Sequence, residues 1–145
     1  MKIKFLLLIL LFSNSAFSNY KFETVLDDLD DAWSFVFLSE DRVLFTEMSG
    51  KLKIASLSNK FINEIDDTPL VQYSGQGGLS DLALDPDFES NNTIYLSYSA
   101  KDENKSTTLF LISAELNGNS LENSKVIFQA KAPRRSPMHL GAKIA

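Results

Sequence analysis

The sequence predicts an all-β fold built from repeated four-stranded sheets. Three observations carry that expectation. Short β-branched and aromatic segments alternate with turns of Gly, Asn, Asp and Ser. Beyond residue 18 no stretch has the apolar spacing of an amphipathic helix. The segments also recur in a fixed order, as repeats do.

Taken in order, strands are expected near 34–38, 42–47, 51–57, 69–73, 79–84, 93–99, 107–116 and 125–129. Ser39-Glu40-Asp41 and Met48-Ser49-Gly50 have the composition of tight hairpin connections, and 102–106 that of a polar loop tip. Asp27 to Asp31 reads as a solvated approach to the first strand. The first set of four aligns with the second. Ser34–Leu38 matches Ser80–Leu84 at an offset of 46, Val43–Glu47 matches Ile94–Tyr98 at 51, and Pro69–Gln72 matches Val126–Gln129 at 57. Four-stranded repeats of roughly 45–50 residues are the pattern of propeller blades. A two-sheet sandwich also shows strand–turn recurrence. The matched inner strand and shared order of connections favour a β-propeller, with two blades here and 141–145 as the inner strand of a third. The chain stops inside that strand. It is therefore expected to be the N-terminal part of a longer propeller, poorly stable and inactive by itself, because unclosed blades leave faces and edges uncovered.

Residues 1–18 stand apart. Lys2 and Lys4 precede an unbroken apolar run from Phe5 to Phe12, and Ala16 and Ser18 offer a small-residue cleavage site before Asn19. This is the layout of a secretory signal peptide. The run is far short of the ~20 residues that span a bilayer. An exported protein, periplasmic or extracellular, with no stable membrane span after cleavage is expected, with 19–145 as the folded part. Without Lys2 and Lys4 the remainder carries twelve basic against nineteen acidic residues, a net charge of −7. Such a surface repels phosphate backbones, so nucleic acid is an unfavourable partner. The chain has no cysteine, which removes disulfides and thiolate metal sites.

Several stretches carry more than fold. Trp33-Ser34-Phe35-Val36-Phe37-Leu38 is followed by Asp41 to Glu47 and Gly50 to Ile54. Gly75-Gln76-Gly77-Gly78-Leu79 is followed by Leu82-Ala83-Leu84-Asp85-Pro86-Asp87-Phe88 and Ile94 to Tyr98. His139-Leu140-Gly141-Ala142-Lys143-Ile144 ends the series. Together, in this order and spacing, they resemble the glucose/sorbosone dehydrogenase family of soluble quinoproteins from Trp33 to the end of the chain. The resemblance implies a six-bladed propeller that holds pyrroloquinoline quinone over its axis with calcium. It implies oxidation of a sugar, aldose or related polyol hydroxyl, with a histidine taking the hydroxyl proton, hydride passing to the quinone and electrons leaving to an external acceptor.

His139 matches that histidine. Imidazole, with a pKa near ~6.5, can accept a proton at working pH; the plain alternative is a loop histidine without a task. Gln76 matches a family position near substrate and quinone. Its amide can donate to and accept from a sugar hydroxyl, or it can bond its own glycine loop. The glycines around it are read as turning or close-approach residues. No helix follows, so a nucleotide fingerprint is rejected. Asp85 and Asp87 are read as turn formers, and Trp33 as core filling. Lys131, Arg134 and Arg135 form a small basic patch. Lys143 and Ala142 stand where the family pattern has Arg and Gly, and Lys lacks the bidentate fork of Arg. No metal ligand is assigned; the family's main quinone and calcium contacts belong to later blades. The competing reading is a non-catalytic extracytoplasmic propeller that binds a glycan or a protein. A hydrolytic propeller such as a lactonase would need axial carboxylates around calcium, for which the sequence offers no pattern.

Overall fold

The computed structural model describes residues 20–131 and 140–145. The signal peptide assigned to 1–18, His139, Arg134 and Arg135 therefore lie outside the described residues.

Two four-stranded antiparallel sheets follow one another, in the order β1-β2-β3-β4 and then β5-β6-β7-β8. The first comprises β1 (Ala32–Phe37), β2 (Arg42–Glu47), β3 (Leu52–Ser56) and β4 (Ile62–Ile65). The second comprises β5 (Leu79–Leu84), β6 (Thr93–Lys101), β7 (Thr107–Asn117) and β8 (Ser120–Gln129). Each is a meander whose strands pair in sequence order, as propeller blades do. A single helical turn, α1 (Phe88–Asn91), closes the β5–β6 connection, with Asn92 in the left-handed region donating its N–H to Phe88 O.

The blades pack face to face. Leu44, Leu52 and Ile65 of the first meet Leu79, Leu82, Ile94, Leu96 and Tyr98 of the second in one buried core. Leu96 is fully buried there, so Leu96→Ala is expected to cost ~2–5 kcal/mol in a urea melt. Backbone hydrogen bonds hold both radial ends of this interface. Near the axis Leu79 N–H donates to Met48 O at 3.1 Å; at the rim Asp66 N–H donates to Asn119 O at 2.8 Å and Leu121 N–H to Asp66 O at 3.1 Å.

The opposite face of the first blade has no sheet over it among the described residues. Trp33, Phe35 and Phe37 alternate along β1 and are 54%, 62% and 58% exposed. Trp33, expected from sequence to fill core, lies on this face. It lines an apolar groove of about 520 Å³ with Val25, Leu26 and Leu29 of the approach segment.

One strand differs from expectation. The fourth strand of the first blade is Ile62–Ile65, not 69–73. Leu52 pairs with Ile65 while its counterpart Leu111 pairs with Phe128, so the outer strands repeat at 63 rather than 57. Residues 69–73 have strand-like composition but serve the connection. Val71 packs against Gly50, and Gln72 N–H donates to Ser99 O at 2.7 Å. The inner strands are also displaced by one residue. Phe35 pairs with Phe45 and Leu82 with Leu96, an offset of 47 instead of 46, with a register irregularity at the start of each inner strand. Residues 140–145 lie beside the second blade through side-chain contacts and pair in no strand ladder.

The repeat extends to buried hydroxyls. Thr46 Oγ1 accepts from Ser34 N–H at 3.1 Å and donates to Ser80 O of the next blade at 2.6 Å. Ser97 Oγ accepts from Asp81 N–H at 3.0 Å and donates to Ala142 O at 2.6 Å. Each hydroxyl links its own inner strand to the following one. Thr46→Val removes the partner of the part-buried Ser34 N–H and of the buried Ser80 C=O, and ~1–3 kcal/mol of lost stability is expected by denaturant titration.

Candidate functional site

Meander topology places the β2–β3 turn, the β4–β5 connection and the segment after β8 at one end of the blades. Gln76 belongs to that end. Ser74 and Gly77 exchange backbone hydrogen bonds, N–H of Gly77 to Ser74 O at 2.9 Å and N–H of Ser74 to Gly77 O at 3.3 Å. Gly75 and Gln76 are thus the two central residues of a tight turn. Gly75, with φ of 62°, takes the first position, as a type II′ turn requires. Gln76 is exposed at the tip.

The turn is anchored from below by Ser99, which is 1% exposed. Its hydroxyl accepts from Gly78 N–H at 2.8 Å and donates to Gln72 O at 3.3 Å. A Cβ on Gly77 would lie 2.6 Å from that hydroxyl, and one on Gly78 would lie 2.0 Å from Met48 O. The glycines therefore serve close backbone approach, as the sequence suggested.

Charged groups surround the same end. Glu47 is fully buried; Oε1 accepts from Lys53 Nζ at 2.8 Å and from Asp30 N–H at 3.1 Å, while Oε2 has no hydrogen-bond partner. Tyr73 donates its hydroxyl to Asp31, and that bond is the main cause of a raised phenol pKa.

Asp81, 3% exposed, is a buried acid with three bonds. Oδ1 accepts from Ser34 Oγ at 2.6 Å; Oδ2 accepts from Ile144 N–H at 2.7 Å and from Lys143 Nζ at 3.0 Å. Burial pushes its carboxyl up, but the bonds from Ser34, Ile144 and Lys143 and the lysine charge outweigh it and hold the pKa below 3.8. A depressed folded value stabilises fully above the unfolded pKa, and that contribution is lost as pH falls through the folded value. Asp81→Asn is therefore expected to flatten the loss of stability below about pH 4, read as urea midpoints from pH 5 downward.

Asp85 is a turn former. Oδ1 accepts from Asp87 N–H and Asn91 Nδ2, both at 2.9 Å, and Oδ2 accepts from Tyr95 at 2.6 Å.

Sequence reasoning placed Gln76 at this end and missed Glu47 and Asp81. The available signal was an acid inside an otherwise apolar strand, as in Leu79-Ser80-Asp81-Leu82. The described residues do not make a holder for calcium or the quinone. No group of three or more His, Cys, Asp or Glu side chains suited to a metal is gathered among them. The Lys143 charge is matched by Asp81 rather than offered to an anionic group. No helix among the described residues is long and apolar enough to cross a membrane.

Comparison with known proteins adds four findings. The residue pattern of the Glucose / Sorbosone dehydrogenase family matches residues 29–145. An aldose sugar dehydrogenase of Escherichia coli is 35% identical over 88 residues, covering 59% of this chain and 24% of that protein. Among solved structures, a glucose dehydrogenase superposes with a TM-score of 0.78 at 31% identity, covering 83% of this chain and 36% of its own. The pyrroloquinoline-quinone-bound aldose sugar dehydrogenase of Streptomyces coelicolor superposes at 0.62 with 20% identity, over 74% of this chain and 33% of its own, a likeness of fold. The chain thus spans about a quarter to a third of the length of the proteins it matches.

Proposed function

Because the chain belongs to the glucose/sorbosone dehydrogenase family, we propose that it forms the opening blades of an exported, six-bladed aldose dehydrogenase. The family match across 29–145 is the observation that carries this reading. Pyrroloquinoline quinone with calcium is the proposed cofactor of the whole protein, supplying a two-electron acceptor that an external acceptor reoxidises.

This chain's own residues take two roles in that proposal. Gln76, at the tip of its rigid turn, hydrogen-bonds the sugar and orients the reacting hydroxyl. His139 takes the hydroxyl proton. Export follows from the N-terminal segment, and the mature chain is expected to begin at Asn19, checked by N-terminal sequencing of protein recovered from outside the cytoplasm.

The test is aldose-dependent reduction of a dye acceptor by the whole protein loaded with the quinone and calcium. Turnover with an aldose supports the proposal. Bound quinone with no turnover across a panel of aldoses contradicts the aldose reading and points to another substrate class, whereas no quinone uptake favours the glycan- or protein-binding propeller.

A further inference from the structure

Three successive inner segments carry a continuous polar link at one level. Ser34 of β1 donates to Asp81 of β5, and Asp81 receives Lys143 and the Ile144 N–H from the segment that follows the second blade. The three side chains occupy equivalent positions. Ser34 and Asp81 each give their N–H to the repeated hydroxyl, Thr46 or Ser97. Those hydroxyls in turn bond the carbonyls of Ser80 and Ala142, which immediately precede Asp81 and Lys143. The link therefore passes from each segment to its successor by the same geometry.

Asp81 is the hinge of this link. Its carboxylate is buried, and an unpaired charge in that place would be costly. Each bond it accepts comes from outside its own strand. The Lys143 side chain is 81% exposed, so that end of the clasp remains wet. Among the described residues, Ser97 to Ala142 O and Ile144 N–H to Asp81 also hold 140–145 to the second blade.

We propose that Asp81 is a positioning residue: with Ser34 and Lys143 it clasps the start of the third inner segment against the first two blades. In its functional consequence this rests on the dehydrogenase reading. Residue 139 is four residues from Lys143, at most about 14 Å of extended chain. On that reading, loosening Lys143 and Ile144 is expected to lower turnover by a base four residues upstream while leaving sugar binding at Gln76 unchanged. The clasp also assigns Lys143 a structural duty, which accounts for a lysine serving where the family pattern has arginine: one ammonium donor suffices for Asp81 Oδ2.

The experiment is made on the whole protein, reading hydrogen exchange of peptides covering 140–145 beside steady-state kinetics with an aldose. Asp81→Ala is expected to speed exchange of that segment about tenfold or more and to lower kcat about tenfold, with KM for the aldose within about twofold, since the base rather than the binding turn is displaced. Lys143→Met should shift both readouts in the same direction, and Lys143→Arg should restore them. Unchanged exchange in Asp81→Ala overturns the clasp. Faster exchange with unchanged kcat overturns the positioning role. Should Asp81→Ala not fold, Ser34→Ala and Lys143→Met each remove one bond and carry the same two readouts. The exchange measurement decides the clasp whether or not the wild type turns over aldoses.

Discussion

Gly78→Ala is expected to lower the unfolding midpoint of the whole protein by ~5 °C or more, or to abolish folding. A Cβ at this position would sit 2.0 Å from Met48 O and 2.9 Å from Met48 C, both backbone atoms of the neighbouring blade. They cannot rotate away as a side-chain end would. The φ of 153° is itself a conformation that side chains rarely adopt. Relief requires the Met48 turn to withdraw, and Met48 O is the acceptor of Leu79 N–H, the axial hydrogen bond between the two blades. Gly78 also has both of its own polar groups engaged, its N–H on Ser99 Oγ and its C=O with Ser99 N–H at 2.9 Å. Steric overlap, backbone strain and lost interblade bonding fall on one residue, which places the cost in the exceptional range above ~4 kcal/mol. Gly118→Ala is the control. Its φ is 60°, but nothing lies within 4 Å of a Cβ there, so only ~1 kcal/mol of backbone strain is expected. Circular-dichroism melts of the two variants provide the comparison; similar midpoints would contradict the close-approach account.

The second large effect is on activity. His139→Ala is expected to reduce kcat about 10²–10⁴-fold, the usual contribution of a positioned general base. A base acts in its neutral form, so kcat/KM for the parent protein should fall as acid protonates the imidazole. The residual activity of His139→Ala should lack that acid limb. The pair of measurements separates a catalytic imidazole from a merely structural one, because loss of packing lowers rate without erasing the limb. A variant that retains both the rate and the limb would remove His139 from the mechanism.

Much of the fold was legible because strand signals and turn chemistry agree. The segments at 42–47 and 79–84 match the observed β2 and β5, and the 39–41 and 48–50 hairpins formed where their Ser, Asp and Gly residues placed them. The fourth strand was misplaced because Pro69-Leu70-Val71-Gln72-Tyr73 is more apolar than Ile62-Asn63-Glu64-Ile65. At a rim strand, pairing with β3 outweighs composition, and Pro69 suits a connection. For Trp33, alternation shows that β1 has two faces, but not what covers each of them. The one-residue displacement of the inner strands comes from register irregularities that residue identity does not mark. At the candidate site, the turn that presents Gln76 could be read from Gly75 and its neighbours. The Asp81 clasp could not, because Ser34, Asp81 and Lys143 are brought together only by the angular step from one blade to the next.

The most direct measurement is a single anaerobic turnover by the whole protein loaded with pyrroloquinoline quinone and calcium, following quinone absorbance and lactone together after addition of an aldose. The dehydrogenase account predicts one equivalent of lactone for each quinone reduced, and no reduction when the aldose is replaced by its lactone. Full occupancy by the quinone with no reduction and no lactone, across the aldose panel, would contradict it.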